Sequence, residues 1–188
     1  MTRRIAALAL AAACIAVLPG CFPVAVTGMG AAALMASDRR TTGMYVEDEN
    51  IEWKVVGHLG GFPGSHVNAT SFNRRVLLTG EVPDEATRKK LEEAVRRIDS
   101  VREVTNELQV SGVSSLTARG NDALVTSNVK ARMVNNGRFS PNHVKVVTEQ
   151  GVVYLMGLVT QAEGDAAVEI TRTTSGVARV VKVFEYIS

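Results

Sequence analysis

Side chains capable of acid–base, nucleophilic or metal chemistry occur in this sequence, but not at the spacings such chemistry needs. His58, His66 and His143 have no cysteine, aspartate or second histidine at metal-ligand spacing, so surface or helix-end positions are expected for them. Gly57-His-Leu-Gly-Gly-Phe-Pro-Gly64 is glycine-rich but lacks the Lys-Ser/Thr pair that a phosphate loop requires. It reads as a helix end and a turn. Glu92-Glu93 lies in a segment dense with Arg and Lys, the pattern of a solvated, ion-paired helix face. No serine has a Gly-x-Ser-x-Gly setting, and Asn68-Ala69-Thr70 is only a formal glycosylation sequon. Gly80 and Gly157 sit where strands end at a bend, a place where close backbone approach favours glycine. The expectation is a chain with no catalytic residues, no metal ligands and no cofactor.

Cysteine is the exception. Met1-Thr2-Arg3-Arg4 is a basic start, and the run from Ile5 to Leu18 is uncharged. That run is too short for a bilayer span, which takes about 20 apolar residues, and it reads as a cleavable signal peptide over 1–20. It ends in Leu18-Pro19-Gly20-Cys21, which resembles a lipobox, with Pro19 as the one departure. Cys21 would then be acylated and become the mature N-terminus. Phe22 follows it, so the aspartate associated with inner-membrane retention is absent and the outer membrane is the expected destination. Cys14 would leave with the signal, so no internal disulfide is possible. Each buried acyl methylene contributes about 0.8 kcal/mol, and stable anchoring takes more than one chain. Residues 21–43, rich in small side chains, read as the lipidated N-terminus and a membrane-proximal linker. Removing Arg3 and Arg4 from the 21 basic residues leaves 19 against 19 acidic ones. A mature chain of zero net charge carries no nucleic-acid signature.

The rest of the chain is an internal repeat. Val67, Val76, Leu78, Gly80 and Val82 fall on Val144, Val153, Leu155, Gly157 and Val159 at one constant offset. Ile51, Val55 and Leu59 correspond to Val125, Val129 and Met133, and Val101 and Val104 to Val177 and Val180, at slightly different offsets that place insertions in loops. Each copy reads as an amphipathic helix, a hairpin, a second helix and a closing strand. The first helices are expected near 48–60 and 122–136, the latter capped by Asn121 or Asp122 and stopped at Asn136-Gly137. The hairpin turns are placed at Phe72-Asn73-Arg74 and Glu149-Gln150-Gly151. The second helices are placed at 84–98, with Pro83 in the first turn, and at 162–174. The last strands are placed at 101–110 and 178–187. The fold class is α+β: two tandem modules, 44–112 and 119–188, each a three-stranded mixed sheet with two helices on one face.

A strand ending in Leu-Thr-Gly-Glu-Val or Leu-Met-Gly-Leu-Val, then a helix, then Gly/Ser-Val-x-x-Val, resembles the BON domain. Two such domains behind a lipobox resemble the dual BON-domain outer-membrane lipoproteins of the DolP/YraP family, the most specific segment being Val144–Thr160. The resemblance implies a non-enzymatic, periplasm-facing lipoprotein. It also implies binding of anionic phospholipid through the second domain and support of envelope integrity, near the division site.

Charge and helix periodicity point to the same part of the chain. Residues 48–110 carry 9 basic and 11 acidic groups, and residues 119–188 carry 8 and 6. Arg119, Lys130, Arg132, Arg138 and Lys145 face only Asp122 over 119–145. At 100° per residue, Val125, Val129 and Met133 form a core stripe, whereas Leu124, Ala131 and Val134 fall opposite with Ala123 and Ser127. An outer face should be polar. Apolar residues beside basic ones suit an anionic membrane surface, which makes Leu124, Ser127, Lys130, Ala131, Val134 and Arg138 the candidate lipid-binding residues. Trp53 and Val56 show the same feature on the first helix, so the alternative is that the two outer faces bury each other. A second function on the same surface would be a periplasmic scaffold or activator that docks a protein partner.

Overall fold

The computed structural model describes residues 38–188; the signal segment, the lipobox with Cys21 and the linker up to residue 37 lie outside them. In the first module α1 (Thr42–Leu59) begins at the N-cap Thr41, whose hydroxyl accepts from Met44 N. Residues 42 and 43, expected in the linker, are therefore helical. α1 buries Asp48, Ile51 and Val55 on one stripe. β1 (His66–Phe72) and β2 (Arg75–Val82) form an antiparallel hairpin. Its two turn residues, Asn73 and Arg74, both have positive φ, the geometry that matches the twist of the flanking strands. α2 (Glu85–Arg96) is capped by Asp84, so Pro83 precedes the cap instead of sitting in the first turn. The closing strand is broken into β3 (Glu103–Asn106) and β4 (Gln109–Val110), both parallel to β2. Between them Leu108 turns into the core.

The second module repeats this order. α3 (Leu116–Val134) is capped by Ser115, upstream of the caps expected at Asn121 and Asp122. A short 3₁₀ turn at Pro141–His143 leads into the antiparallel pair β5 (Val144–Glu149) and β6 (Val152–Val159). α4 (Gln161–Arg172) starts with a capping box between Thr160 and Glu163. β7 (Arg179–Tyr186) lies parallel to β6 along its whole length.

The aspartates that sequence reading took for caps or left unassigned hold the hairpins. Asp48 accepts from Asn73 N, Arg74 N and Ser71 Oγ at 2.8, 2.7 and 2.7 Å. Asp122, at the equivalent place on α3, accepts from Gln150 N and Gly151 N at 2.9 and 2.8 Å. Each first helix thus pins the turn of its own hairpin. Arg40 adds an ion pair to Asp48 at 2.8 Å and lies over the Phe72 ring.

Both helices of a module cover one face of its sheet. Ile51, Val55, Leu91 and Val95 pack with Val76, Leu78, Val82 and Val104 in the first. Val125, Val129, Met133, Ala167 and Ile170 pack with Val146, Val153, Leu155 and Phe184 in the second. The opposite sheet faces meet each other: Phe72 and Leu77 pack against Val152, Tyr154, Met156 and Val183 in a third core. This explains why β2 and β6 are buried on both sides, the pattern of a strand covered on two faces. It also corrects one alternative: the modules join through their sheets, not through the outer faces of α1 and α3. Burial, reinforced by the nearby Glu107 carboxylate, pushes the Tyr154 hydroxyl up to about 12, so it stays protonated within this core.

Arg39 ties the residues before α1 to the second module, its guanidinium reaching Glu163 at 2.6 and 2.9 Å and the Leu158 carbonyl at 2.8 Å. That bond, opposed by burial and helped by Thr160 N–H and His143, lowers Glu163 to about 2 from 4.5. A depressed carboxyl adds stability above its unfolded value that is lost as pH falls from about 4.5 towards about 2. Glu163→Gln is expected to cost on the order of 2 kcal/mol at neutral pH and to flatten the stability profile over that acid window. Urea unfolding followed against pH is the measurement; an unchanged acid slope would remove Glu163 from the account.

Candidate functional site

The outer face of α3 is built by a helix whose inner stripe is fully used. With Val125, Val129 and Met133 in the core, residues offset by about half a turn must face away. Leu124 and Val134 are each 65 % exposed, and Ala123, Ser127, Lys130 and Ala131 are exposed between them. Leu124, Ser127, Ala131 and Val134 follow a spacing of three and four, which keeps them on one stripe. Ser127 Oγ donates back to Ala123 O at 2.9 Å, so its hydroxyl is engaged by the helix and the stripe is less polar than its composition. Leu116 extends the apolar surface at the helix start.

The basic cluster of 119–145 is only partly available. Arg138 pairs with Glu169 at 2.8 Å, and Lys145 with Glu52 of the first module at 3.0 Å. Arg132 bonds the Ile170 carbonyl and the hydroxyls of Thr173 and Thr174 at the end of α4. Arg119 bonds Ser114. Lys130, beside the apolar stripe, is exposed and forms no ion pair among the described residues. The six residues marked in the sequence are thus all exposed, but Arg138 stands beyond the helix end and its charge is shared with Glu169. No helix among the described residues is long and apolar enough to cross a membrane.

α1 offers a comparison within the same molecule. Trp53 is 74 % exposed, with Val56, Tyr45 and Val46 also on the surface. That helix carries Glu47, Asp48, Glu49 and Glu52 against Lys54, whereas α3 carries Arg119, Lys130 and Arg132 against Asp122. The one acid of α3 is buried and occupied by a turn. Of these two helices, α3 alone presents a face that is both apolar and free of exposed carboxylates.

A second group of residues sits at the seam between the modules. His66 on β1 and Glu81 on β2 are a cross-strand pair, with Nδ1 3.2 Å from Oε2. Glu149 at the end of β5 approaches them from the second module, and one ligand-type atom from each of the three lies within 4.8 Å of the others. Burial works to raise Glu81, but hydrogen bonds from Gln150 and Ser114 and the nearby His66 outweigh it and hold that carboxyl below its ordinary value. Burial raises Glu149, Asn68 opposes this by donating to it, and the neighbouring Glu81 pushes it further up. Sequence reading passed over the group because Glu81 lies across a hairpin and Glu149 in the other repeat. No spacing rule reaches that far.

Comparison with known proteins agrees with this architecture. The BON domain model matches residues 47–112 and again 121–188. The chain is 38% identical over 174 residues to outer membrane lipoprotein DolP of Haemophilus influenzae, covering 90% of each chain. It is 29% identical to a 21 kDa hemolysin of Actinobacillus pleuropneumoniae, over 80% of this chain and 79% of that one. Osmotically-inducible protein Y of Escherichia coli is 27% identical over 82% of this chain and 80% of its own length. Two matched domains that coincide with the two folded modules, and a relative of this identity along nearly the whole chain, show that the protein belongs to the BON family, as a tandem-domain member of the DolP type.

Proposed function

We propose that this protein is an outer-membrane lipoprotein, anchored through acyl groups on Cys21, that lays the outer face of α3 on an anionic phospholipid surface. In this reading it has no catalytic role and supports the integrity of the envelope from the periplasmic side, at the division site. The observation that carries the proposal is the exposed Leu124–Val134 stripe with Lys130 beside it and no exposed carboxylate on the helix. An acyl anchor raises the local concentration of the surface, so a weak helix contact suffices. A basic side chain near an anionic bilayer adds about 1 kcal/mol, and burying a Leu-sized side chain adds about 1.5–3 kcal/mol. The DolP relationship supports the outer-membrane assignment.

The test is flotation of the soluble chain from residue 22 with phosphatidylglycerol and phosphatidylcholine vesicles. The chain is expected on the anionic vesicles, with binding weakened by salt. Leu124→Glu and Val134→Glu are each expected to reduce it by at least about tenfold while the unfolding midpoint stays unchanged, since both side chains are exposed. Equal binding to both vesicle types, or binding unaffected by either substitution, would refute the proposal. A second reading, a scaffold or activator docking a periplasmic protein on this face, draws support from the small side chains Ala123, Ser127 and Ala131, which permit close approach of a partner helix. It predicts a face indifferent to lipid charge.

A further inference from the structure

Two carboxylates are buried together at the seam; Arg119 lines the adjoining cavity but donates to Ser114 and not to either of them. Glu81 is 0% and Glu149 4% exposed, and among the described residues no lysine or arginine forms an ion pair with either. Among the described residues His66 is the one basic group in ion-pair contact, and it reaches Glu81. A protonated His66 reaches Glu81 alone and leaves Glu149 with the amide of Asn68, and a buried carboxylate without a charged partner is costly to ionise. We propose that His66, Glu81 and Glu149 form a binding site for a divalent transition cation of the Zn²⁺ class, which joins the two modules across their seam.

The donor set fits that cation. One imidazole and two carboxylates suit Zn²⁺ and its neighbours better than Mg²⁺ or Ca²⁺, which take oxygen ligands. Ligand atoms about 2.0–2.1 Å from a tetrahedral centre lie about 3.3 Å apart. His66 Nδ1 and Glu81 Oε2 stand 3.2 Å apart before any metal arrives. One donor atom of Glu149 lies within 4.8 Å of one from each of the other two, so its carboxylate must draw in to complete the triangle.

A fourth ligand has room beside them. A cavity of about 270 Å³ opens beside His66 and Glu149, with Asn68 next to them and Arg119 and Asp122 of α3 across it. It can hold a water molecule on the metal. The carboxylates also take hydrogen bonds from neighbouring groups, as metal ligands do, although Ser114 donates to the same Glu81 oxygen that faces His66. Asn68 Nδ2 donates to Glu149 Oε2 at 3.0 Å, Gln150 Nε2 donates to Glu81 Oε1, and Ser114 donates to Glu81 Oε2 through N and Oγ at 3.2 Å. These donors come from β1, the second hairpin and the connection between modules. Binding would tighten the seam at the point where the chain passes from one module to the other.

The experiment uses the full lipoprotein in a zwitterionic detergent, stripped with EDTA and titrated with ZnCl₂ alone, with affinity and thermal midpoint as readouts. One Zn²⁺ per chain and an upward shift of the midpoint are expected. Glu149→Gln and His66→Gln should each weaken binding by at least about tenfold, and Asn68→Ala by about tenfold through the lost support. Glu149→Gln removes a buried charge, so its metal-free form should fold at least as well as the parent; His66→Gln provides the same test at an independent position. Glu163→Gln, which alters the other His–Glu contact at His143, should leave binding unchanged. Absence of saturable binding, or affinity undiminished in both Glu149→Gln and His66→Gln, would overturn the site, as would loss of binding in Glu163→Gln alone.

Discussion

Gly80→Ala is expected to be among the most destabilising single-methyl substitutions in the chain. Gly80 lies inside β2 with φ of +112°, a region closed to L side chains without strain. A Cβ there would also collide with the carbonyl of His66 on the paired strand, which is backbone and cannot swing away. Backbone strain of about 1–3 kcal/mol adds to a similar overpacking term. The expected loss is about 3–5 kcal/mol, a large fraction of a domain stability of about 5–15 kcal/mol. Gly157→Ala meets the His143 carbonyl in the same way but has no positive φ to strain, and is expected to destabilise the second module by a smaller amount. Gly57→Ala is the control: it lies within α1 with nothing near its added methyl and should stabilise by about 0.5–1 kcal/mol. Urea unfolding of the three variants decides this; a Gly80→Ala loss below about 1 kcal/mol would mean that the strands separate more easily than their pairing implies.

Asp48→Ala should rank beside it. The carboxylate takes three hydrogen bonds from the first hairpin and an ion pair from Arg40, and it is almost wholly buried. Removing it leaves donors without acceptors, at about 1–3 kcal/mol each where water cannot replace the partner. A total loss of about 3–5 kcal/mol is expected, tempered by rearrangement of the turn. Asp122→Ala strips two donors, Gln150 N and Gly151 N, and should cost about 2–3 kcal/mol. The order is the informative part. A costlier Asp122→Ala would show that the ion pair and the Ser71 hydroxyl add nothing to the first module.

The repeat, the order of elements and the core stripes were legible because they are local or periodic. Val125, Val129 and Met133 recur every four residues on α3, and their correspondence with Ile51, Val55 and Leu59 announced a duplicated module. Helix starts were less legible. Ser115 caps α3 from within a polar connection that carries no periodic signal, and Asp122, which looks like a cap, works instead inside the helix. The outward placement of Leu124, Ser127, Ala131 and Val134 followed from the wheel, as the complement of a known core stripe. That Arg138 and Lys145 are occupied by Glu169 and Glu52 did not, since those partners come from other elements.

The amino-acid sequence alone determined the module, its duplication and the exposed apolar side of α3, because these depend on periods of a few residues and on one chain compared with itself. Only the tertiary structure decided that the sheets, not the helices, join the modules. An almost unbroken apolar run such as Val152–Val159 states that both faces of a strand are covered, without stating by what. The seam of His66, Glu81 and Glu149 belongs to the same class. It exists because β1, β2 and β5 converge when the two sheets pack, and no separation along the chain encodes that distance.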